Sequence, residues 1–475
     1  MKSIESLYIG GRWCPANSSE TITVINPATE QPCATIPKAN EQDVIRAIEA
    51  ARAAFDDWAA SSAETRAALM LATADEMQAR YDDLVDAHVS SMGCPVSLAG
   101  YLHIDAAIEG LRYYAARAAR MDEISEQENV TVIKEPIGVC AFINPWNYPL
   151  HQLMGKLAPA LAAGCTIVTK PAEQTPLQDF IMAEIFDKVG LPAGVFNLVS
   201  GSGREIGPLM SGHPQVDMVS FTGSTAAGIQ VALSAADTVK RVCQELGGKS
   251  PLIITEDADL EAAVRYGVAD VMANTGQTCN ALTRMLVPAS RYNEAVDIAV
   301  AAAAEQRVGD PRDPEVTMGP MASNRQRETV IGYIEQGIKE GARLVCGGTQ
   351  APSGLEQGAY VQPTIFADVT PDMTIAREEI FGPVLCMISY DDPEDAIAIA
   401  NDSIYGLAAG VYAKDQASAM AIARRLKAGQ CYTQGGYFTI KAPFGGYKQS
   451  GNGREWGEHG LDEFIETKAI IGPSD

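Results

Sequence analysis

From residue 139 onward, short strand-like runs alternate with helical stretches, and this alternation limits the possible folds more than any other feature. The runs 139–143, 166–169, 195–199 and 218–221 are rich in β-branched or aromatic residues. Helical stretches lie between and after them, at about 151–163, 177–190, 204–211 and 225–236. Parallel strands cannot be joined by a tight hairpin and need crossovers of this length, so the pattern predicts βαβ units and a mostly parallel sheet. It resumes after Gly247-Gly248, with strands at 252–255 and 284–287 and helices at 258–273 and 292–306. Further strands at 384–390 and 408–412 and a helix at 416–428 follow. The Gly-Gly-Lys stretch is therefore the expected boundary between two α/β units.

The first part of the chain reads differently. Val44, Ile48, Ala51, Phe55 and Trp58 recur at helical spacing and mark one apolar face. Ser61 with Glu64 fits a capping box, which is expected to open a second helix running towards His88. Short strands are expected at 7–9 and 22–25. The β-prone segments 129–135 and 464–471 belong to neither α/β unit, and unpaired edges of this kind need a partner. They are expected to pair with each other or with another subunit.

Composition narrows the partners. The chain has 475 residues, enough for about three domains at roughly 150 residues each. Its 60 acidic and 36 basic residues give a formal charge of −24, which disfavours nucleic acid and anionic membrane surfaces. The longest uncharged apolar stretch lies between Lys156 and Lys170 and is too short to span a bilayer. The ten cysteines include no C-x-x-C pair and the five histidines do not cluster near them, so no metal site is expected. Reduced thiols and, with no targeting segment at the start, a cytoplasmic location are the matching expectations.

Several motifs carry chemistry, each with a plainer reading beside it. A G-x-G-x-x-G fingerprint is absent after the first strand. In its place Phe221-Thr-Gly-Ser-Thr-Ala-Ala-Gly228 follows the strand 218–221. Gly223 permits a tight turn and Ser224 a cap, so the helix start can face an anion or be a simple strand–turn–helix joint. Lys170 and Glu173 follow the strand 166–169, at the carboxyl end where α/β sheets bind ligands. They can grip a ribose or be a solvated loop pair. Cys279 lies in a polar, glycine-containing loop, where a thiol is either an exposed nucleophile or a small buried hydrophobe. Glu245 can be a hinge charge, and Asn147 a helix-entry residue.

Taken in order, PWNYP (145–149), KPAEQTP (170–176), FTGST (221–225), ELGGKSP (245–251), GQTC (276–279), EEIFGPV (378–384) and PFGGYKQSGNGRE (443–455) resemble the aldehyde dehydrogenase superfamily. The resemblance runs from near residue 20 to 468. It implies an α/β fold with two Rossmann-like parallel-sheet domains and a small β oligomerisation arm. The expected boundaries are 1–117 and 137–247 for the NAD-binding domain, 248–462 for the catalytic domain, and 118–136 with 463–475 for the arm. A homodimer or homotetramer is implied. So is NAD, bound through the FTGST helix.

Carried over residue by residue, the resemblance makes Cys279 the nucleophile, with Asn147 and the Cys279 N–H as oxyanion donors. Glu245 is the base for deacylation, and Glu455 resembles a second glutamate that relays protons. Lys170 and Glu173 match ribose ligands, with Phe221, Gly223 and Ser224 at the pyrophosphate. Trp146, Glu379 and Phe381 match groups around the nicotinamide ribose and ring. The implied reaction oxidises an aldehyde to a carboxylic acid through a thiohemiacetal and a thioester. Glu173 implies NAD over NADP, since a 2′-phosphate would meet like charge. Tyr148, His151, Gly155, Asn280, Phe438 and Phe444 are expected to line the substrate tunnel. Where several relatives carry a bulky aromatic, Gly155 has no side chain, and the tunnel is expected to be wider and to take an aromatic or medium-chain aldehyde. The alternatives are a CoA-acylating member, which Glu245 weighs against, and a catalytically silent structural or binding relative.

Overall fold

The computed structural model describes residues 1–473. Two parallel sheets dominate it. The first has eight strands, with Val139–Ile143 near its centre, flanked by Thr166–Lys170 and then Phe196–Leu198 on one side. Met218–Thr222 and then Arg241–Glu245 extend it, also in parallel, on the other side. The order therefore reverses at Val139–Ile143, and at such a switch point the strands' carboxyl ends open a crevice. Antiparallel strands Leu7–Ile9 and Arg12–Cys14 close one edge, and Gly451–Asn452 closes the other against Arg241–Glu245. Residues near 451 thus return to the first sheet although they follow the second in sequence.

The chain leaves the first sheet at Glu245 and enters the second at Pro251. That sheet has seven strands, ordered Arg343–Cys346, Thr364–Ala367, Val384–Tyr390, Arg284–Pro288, Pro251–Ile254, Ala408–Tyr412 and Gln430–Thr433. All its pairings are parallel except that of Arg343–Cys346. Strands buried on both faces read as continuous apolar runs, which is why 139–143 and 251–254 show no alternation.

The helix Pro149–Ala163 is buried along its whole length, with Pro149 in its first turn and Gly164 ending it in a left-handed conformation (φ 98°). The segments 129–135 and 464–471 do pair with each other: Ile465–Ile471 runs antiparallel to Val130–Pro136, and Ser125–Gln127 completes a separate three-stranded sheet. Residues 474 and 475 of the expected arm lie outside the described residues. One helix start differs from expectation. Ser62, not Ser61, caps Ala63–Ala79 by accepting from the Thr65 N–H, while the Ser61 hydroxyl turns back to the Trp58 carbonyl at the end of Glu41–Ala59. The helix also does not run on to His88. It stops at Arg80, and a second helix, Tyr81–Ser91, follows. No helix among the described residues is long and apolar enough to cross a membrane.

Candidate active site

The site lies where the carboxyl edge of the first sheet meets the amino edge of the second. Asn144–Asn147, Lys170–Glu173, Thr222–Ser224 and Glu245–Gly248 each leave the end of a first-sheet strand. Cys279 and Glu379 lie five residues ahead of the second-sheet strands Arg284–Pro288 and Val384–Tyr390.

The loop carrying Cys279 is held in an unusual backbone conformation. Asn274 (φ 51°), Thr275 (φ 57°) and Gly276 (φ 71°) are consecutive left-handed residues. Gly276 abuts the Gly382 carbonyl so closely that no side chain fits there. Side chains hold this strained path. Asn147 Nδ2 donates to the Gln277 carbonyl (2.9 Å), Asn274 Nδ2 donates to the Asn147 carbonyl (3.0 Å), and Gln277 Oε1 accepts from the Ala322 N–H (2.8 Å). One Asn147 amide hydrogen remains beyond that bond. Cys279 is half-buried, and its thiol is pushed above the usual range by burial first and then by the carboxylates of Glu379, Glu245 and Glu455.

Glu245 is buried, with Oε2 lacking a hydrogen-bond partner among the described residues. Burial, and next the Glu455 carboxylate, raise its pKa well above the usual carboxylate range. Glu455 is also buried and pairs with Lys156 Nζ at 2.7 Å. Lys156 is fully enclosed and donates further to Thr222 Oγ1 (2.7 Å) and the Gln152 carbonyl (3.3 Å). Sequence reasoning passed over Lys156, although a lone charge in an otherwise apolar helix was a visible signal.

Lys170, Glu173 and the loop at Gly203 come together at the carboxyl ends of their strands. Glu173 Oε1 accepts from the Gly203 N–H (2.6 Å), and its other oxygen has no partner among the described residues. Lys170 donates to the Pro171 carbonyl (2.8 Å); burial lowers its pKa to about 8. Ser224 caps Thr225–Ala235 by accepting from the Ala227 N–H, and Gly223 rests on the Phe221 ring. Glu379 Oε1 accepts from the Gly248 N–H (3.0 Å), and burial raises Glu379 to about 7. Phe381, with φ of 57°, meets Trp146 edge-on, with ring centroids 5.2 Å apart.

A cavity of about 860 Å³ opens onto Cys279. Tyr148, His151, Asn280, Phe438 and Phe444 line it, together with Trp456, Tyr266, Tyr432 and Tyr437. Tyr148 bonds Thr278 Oγ1 (2.9 Å), and Asn280 donates to the Tyr432 hydroxyl (2.8 Å). His151 packs against Phe438 and Trp456, and burial lowers its pKa to about 3, so it is a neutral wall. Gly155 does not widen this cavity. A Cβ there would stand 2.9 Å from Glu455 Oε2 and 3.1 Å from the Trp456 indole, so the space left by the missing side chain is filled from the other end of the chain. Trp456 holds this place with φ of 61°, a strained backbone for a large residue.

The chain belongs to the aldehyde dehydrogenase family, whose sequence pattern matches residues 13–470. Among its relatives is 3-succinoylsemialdehyde-pyridine dehydrogenase from a Pseudomonas species, 47% identical over 99% of both chains. Aldehyde dehydrogenase C from Pseudomonas syringae, solved as a mutant with NAD+ and octanal, superposes with a TM-score of 0.98. It is 46% identical over 99% of this chain and 98% of that one. A Mycobacterium tuberculosis aldehyde dehydrogenase solved with NAD+ gives 0.97, at 42% identity over 100% and 99%.

Proposed function

We propose that the protein catalyses NAD-dependent oxidation of an aldehyde to its carboxylic acid, with Cys279 as nucleophile and Glu245 as the deacylating base. The observation that carries this reading is that the Glu245 charge acts on Cys279 and Asn147 holds the Cys279 loop at the Gln277 carbonyl, while Lys170 and Glu173 meet at the carboxyl ends of the first-sheet strands. That donor set fits a dinucleotide. Lys170 and Glu173 suit ribose hydroxyls, the N-terminus of Thr225–Ala235 suits a pyrophosphate, and Glu379 with Phe381 and Trp146 suits the second ribose and ring. The neighbours solved with NAD+ support the same cofactor.

The thiol rests protonated, so it must lose a proton before it attacks the aldehyde carbon. A buried carboxylate of raised pKa such as Glu245 is a suitable acceptor. The tetrahedral oxyanion then lies between the free Asn147 amide hydrogen and the Cys279 N–H, which stabilise charge as it develops. NAD, when bound, supplies the hydride acceptor. Glu245 passes the thiol's proton on through the buried link of Glu455 and Lys156, so that it is ionised again when it takes the proton of the water that attacks the thioester and expels the Cys279 thiolate.

The cavity's size and aromatic walls fit an aromatic or medium-chain aldehyde. The pyridine-bearing substrate named for one relative and the octanal bound by another lie in the same range. The separate three-stranded sheet, with Ile470 and Ile471 exposed on its outer strand, fits an arm that joins subunits into a homodimer or homotetramer. A reactive free thiol suits the reducing cytoplasm.

The test follows NADH formation with benzaldehyde, hexanal and acetaldehyde, with and without CoA. We expect CoA-independent turnover, with acetaldehyde the poorest of the three. Substituting Cys279→Ala is expected to remove at least about 10⁴-fold of it. CoA-dependent NADH release would make the protein an acylating enzyme, and turnover surviving Cys279→Ala would overturn the mechanism.

A further inference from the structure

The cavity wall carries three carboxylates that the reaction does not use, and of these Asp270 is half-buried whereas Asp105 and Glu109 are exposed. Asp270 lies on the helix Leu260–Met272, where Tyr266, Ala269 and Asp270 face the cavity, as does Ala273 just past the helix end. Their spacing of three to four residues is one helical face, and the two alanines leave room over the carboxylate. Asp270 Oδ2 accepts from the Leu282 N–H (2.7 Å). Among the described residues its other oxygen has no hydrogen-bond partner and Asp270 makes no ion pair.

Tyr148, Tyr266 and Tyr432 share this wall. Each is held above the usual tyrosine range, by burial first and with the charge of Asp270 among the further causes. None of the three hydroxyls serves Asp270. Tyr266 donates to the Gly436 carbonyl (2.8 Å), Tyr432 donates to Gln430 Oε1 (2.7 Å), and Tyr148 bonds Thr278. A half-buried carboxylate with one free oxygen and aromatic neighbours is an environment that a cation completes, since ring faces and carboxylate attract the same charge. Burial raises Asp270 to about 6, so it is largely ionised at neutral pH. The other charges on the wall add to this sense, with Asp105 and Glu109 against Lys441 alone.

We propose that Asp270 sets substrate choice, and that the aldehyde this cavity takes carries a cationic nitrogen at its far end. An ammonium, a quaternary ammonium or a protonated N-heterocycle would sit against Asp270 and the neighbouring tyrosine rings. Aldehydes ending in a second carboxylate are disfavoured by the same charges. This rests on the aldehyde oxidation proposed above.

The test compares 4-(trimethylammonio)butanal with its uncharged isostere 5,5-dimethylhexanal, using the full chain and NAD. The expected kcat/KM favours the cation by about five- to thirtyfold. Asp270→Asn keeps an oxygen for the Leu282 N–H and removes the charge, so it is expected to collapse that ratio towards one. An isostere used as well as the cation overturns the proposal. So does a variant that slows both aldehydes alike, which would make Asp270 only a holder of the Leu282 loop. A binding measurement keeps the two readings apart. Quenching of tryptophan fluorescence by hexyltrimethylammonium, with Trp456 on the wall, is expected to saturate in the parent and weaken in Asp270→Asn. That result without turnover of any aldehyde would sink the oxidation and keep the cation site, whereas equal quenching in both proteins overturns the site.

Discussion

The two sides of Cys279 are built in contrasting ways. On the side proposed for the cofactor, each polar group is fixed by backbone close to a strand end: Glu173 by the Gly203 N–H, Glu379 by the Gly248 N–H, and Lys170 by the Pro171 carbonyl. On the substrate side, the wall comes from segments near 101–109, 148–152, 266–280, 432–444 and 456, and side chains hold one another. Asn280 holds Tyr432, Tyr148 holds Thr278, and His151 packs on Phe438 and Trp456. A site built on strand ends is set by local sequence. A wall built by distant side chains changes with any one of them, which lets one chemistry serve many substrates.

Four substitutions sharpen or break this contrast. Asn147→Ala strikes the shared centre and is expected to lower kcat by roughly 100- to 1000-fold for every aldehyde, read by steady-state NADH formation. A loss confined to one aldehyde would place Asn147 in the substrate wall instead. Glu173→Gln should act on the cofactor side alone, reducing the preference for NAD over NADP by about tenfold without reordering the aldehydes. Unequal shifts among aldehydes would show the two sides to be coupled.

Gly155→Ala tests the substrate side. Because its Cβ would press on Glu455 and Trp456, it is expected to cost about 1–3 kcal/mol of stability, read by thermal unfolding, rather than to narrow the cavity. A selective loss of large aldehydes with unchanged Tm would restore Gly155 to the wall. Glu245→Gln should have the smallest effect on stability. The pKa of Glu245 is raised in the fold, so the folded state holds its proton more tightly than the unfolded chain does. Its contribution is therefore fully present below the ordinary carboxylate range and is lost as pH rises through the folded value. The variant should gain stability over the parent at pH 8 and nothing at pH 4, read by thermal unfolding at the two pH values. A gain that shrinks with rising pH would contradict the raised pKa.

The same contrast explains how much could be read from the sequence. The strand–helix alternation gave both sheets, and the pairing of 129–135 with 464–471 followed from their being left over. The segment between 307 and 377 went unread because its signals are weak. The helix Asn324–Lys339 buries only Val330, Ile334 and Gly337, and Arg343–Cys346 is a partly exposed edge strand. At the site, residues of the contiguous motifs converge, whereas Lys156, Asp270 and Trp456 were missed because their meaning depends on what packs against them. Gly155 was misjudged for the same reason. An absent side chain reads as space in one dimension, and Trp456, about 300 residues away, occupies it.

The central claim is that carbon–sulfur chemistry runs through Cys279 and that Glu245 releases the product. Intact-mass analysis of Glu245→Gln, quenched soon after mixing with NAD and hexanal, tests both halves at once. The account predicts one hexanoyl group on Cys279, formed with a stoichiometric burst of NADH and cleared slowly. Free enzyme with undiminished turnover, or an adduct on another residue, would contradict it.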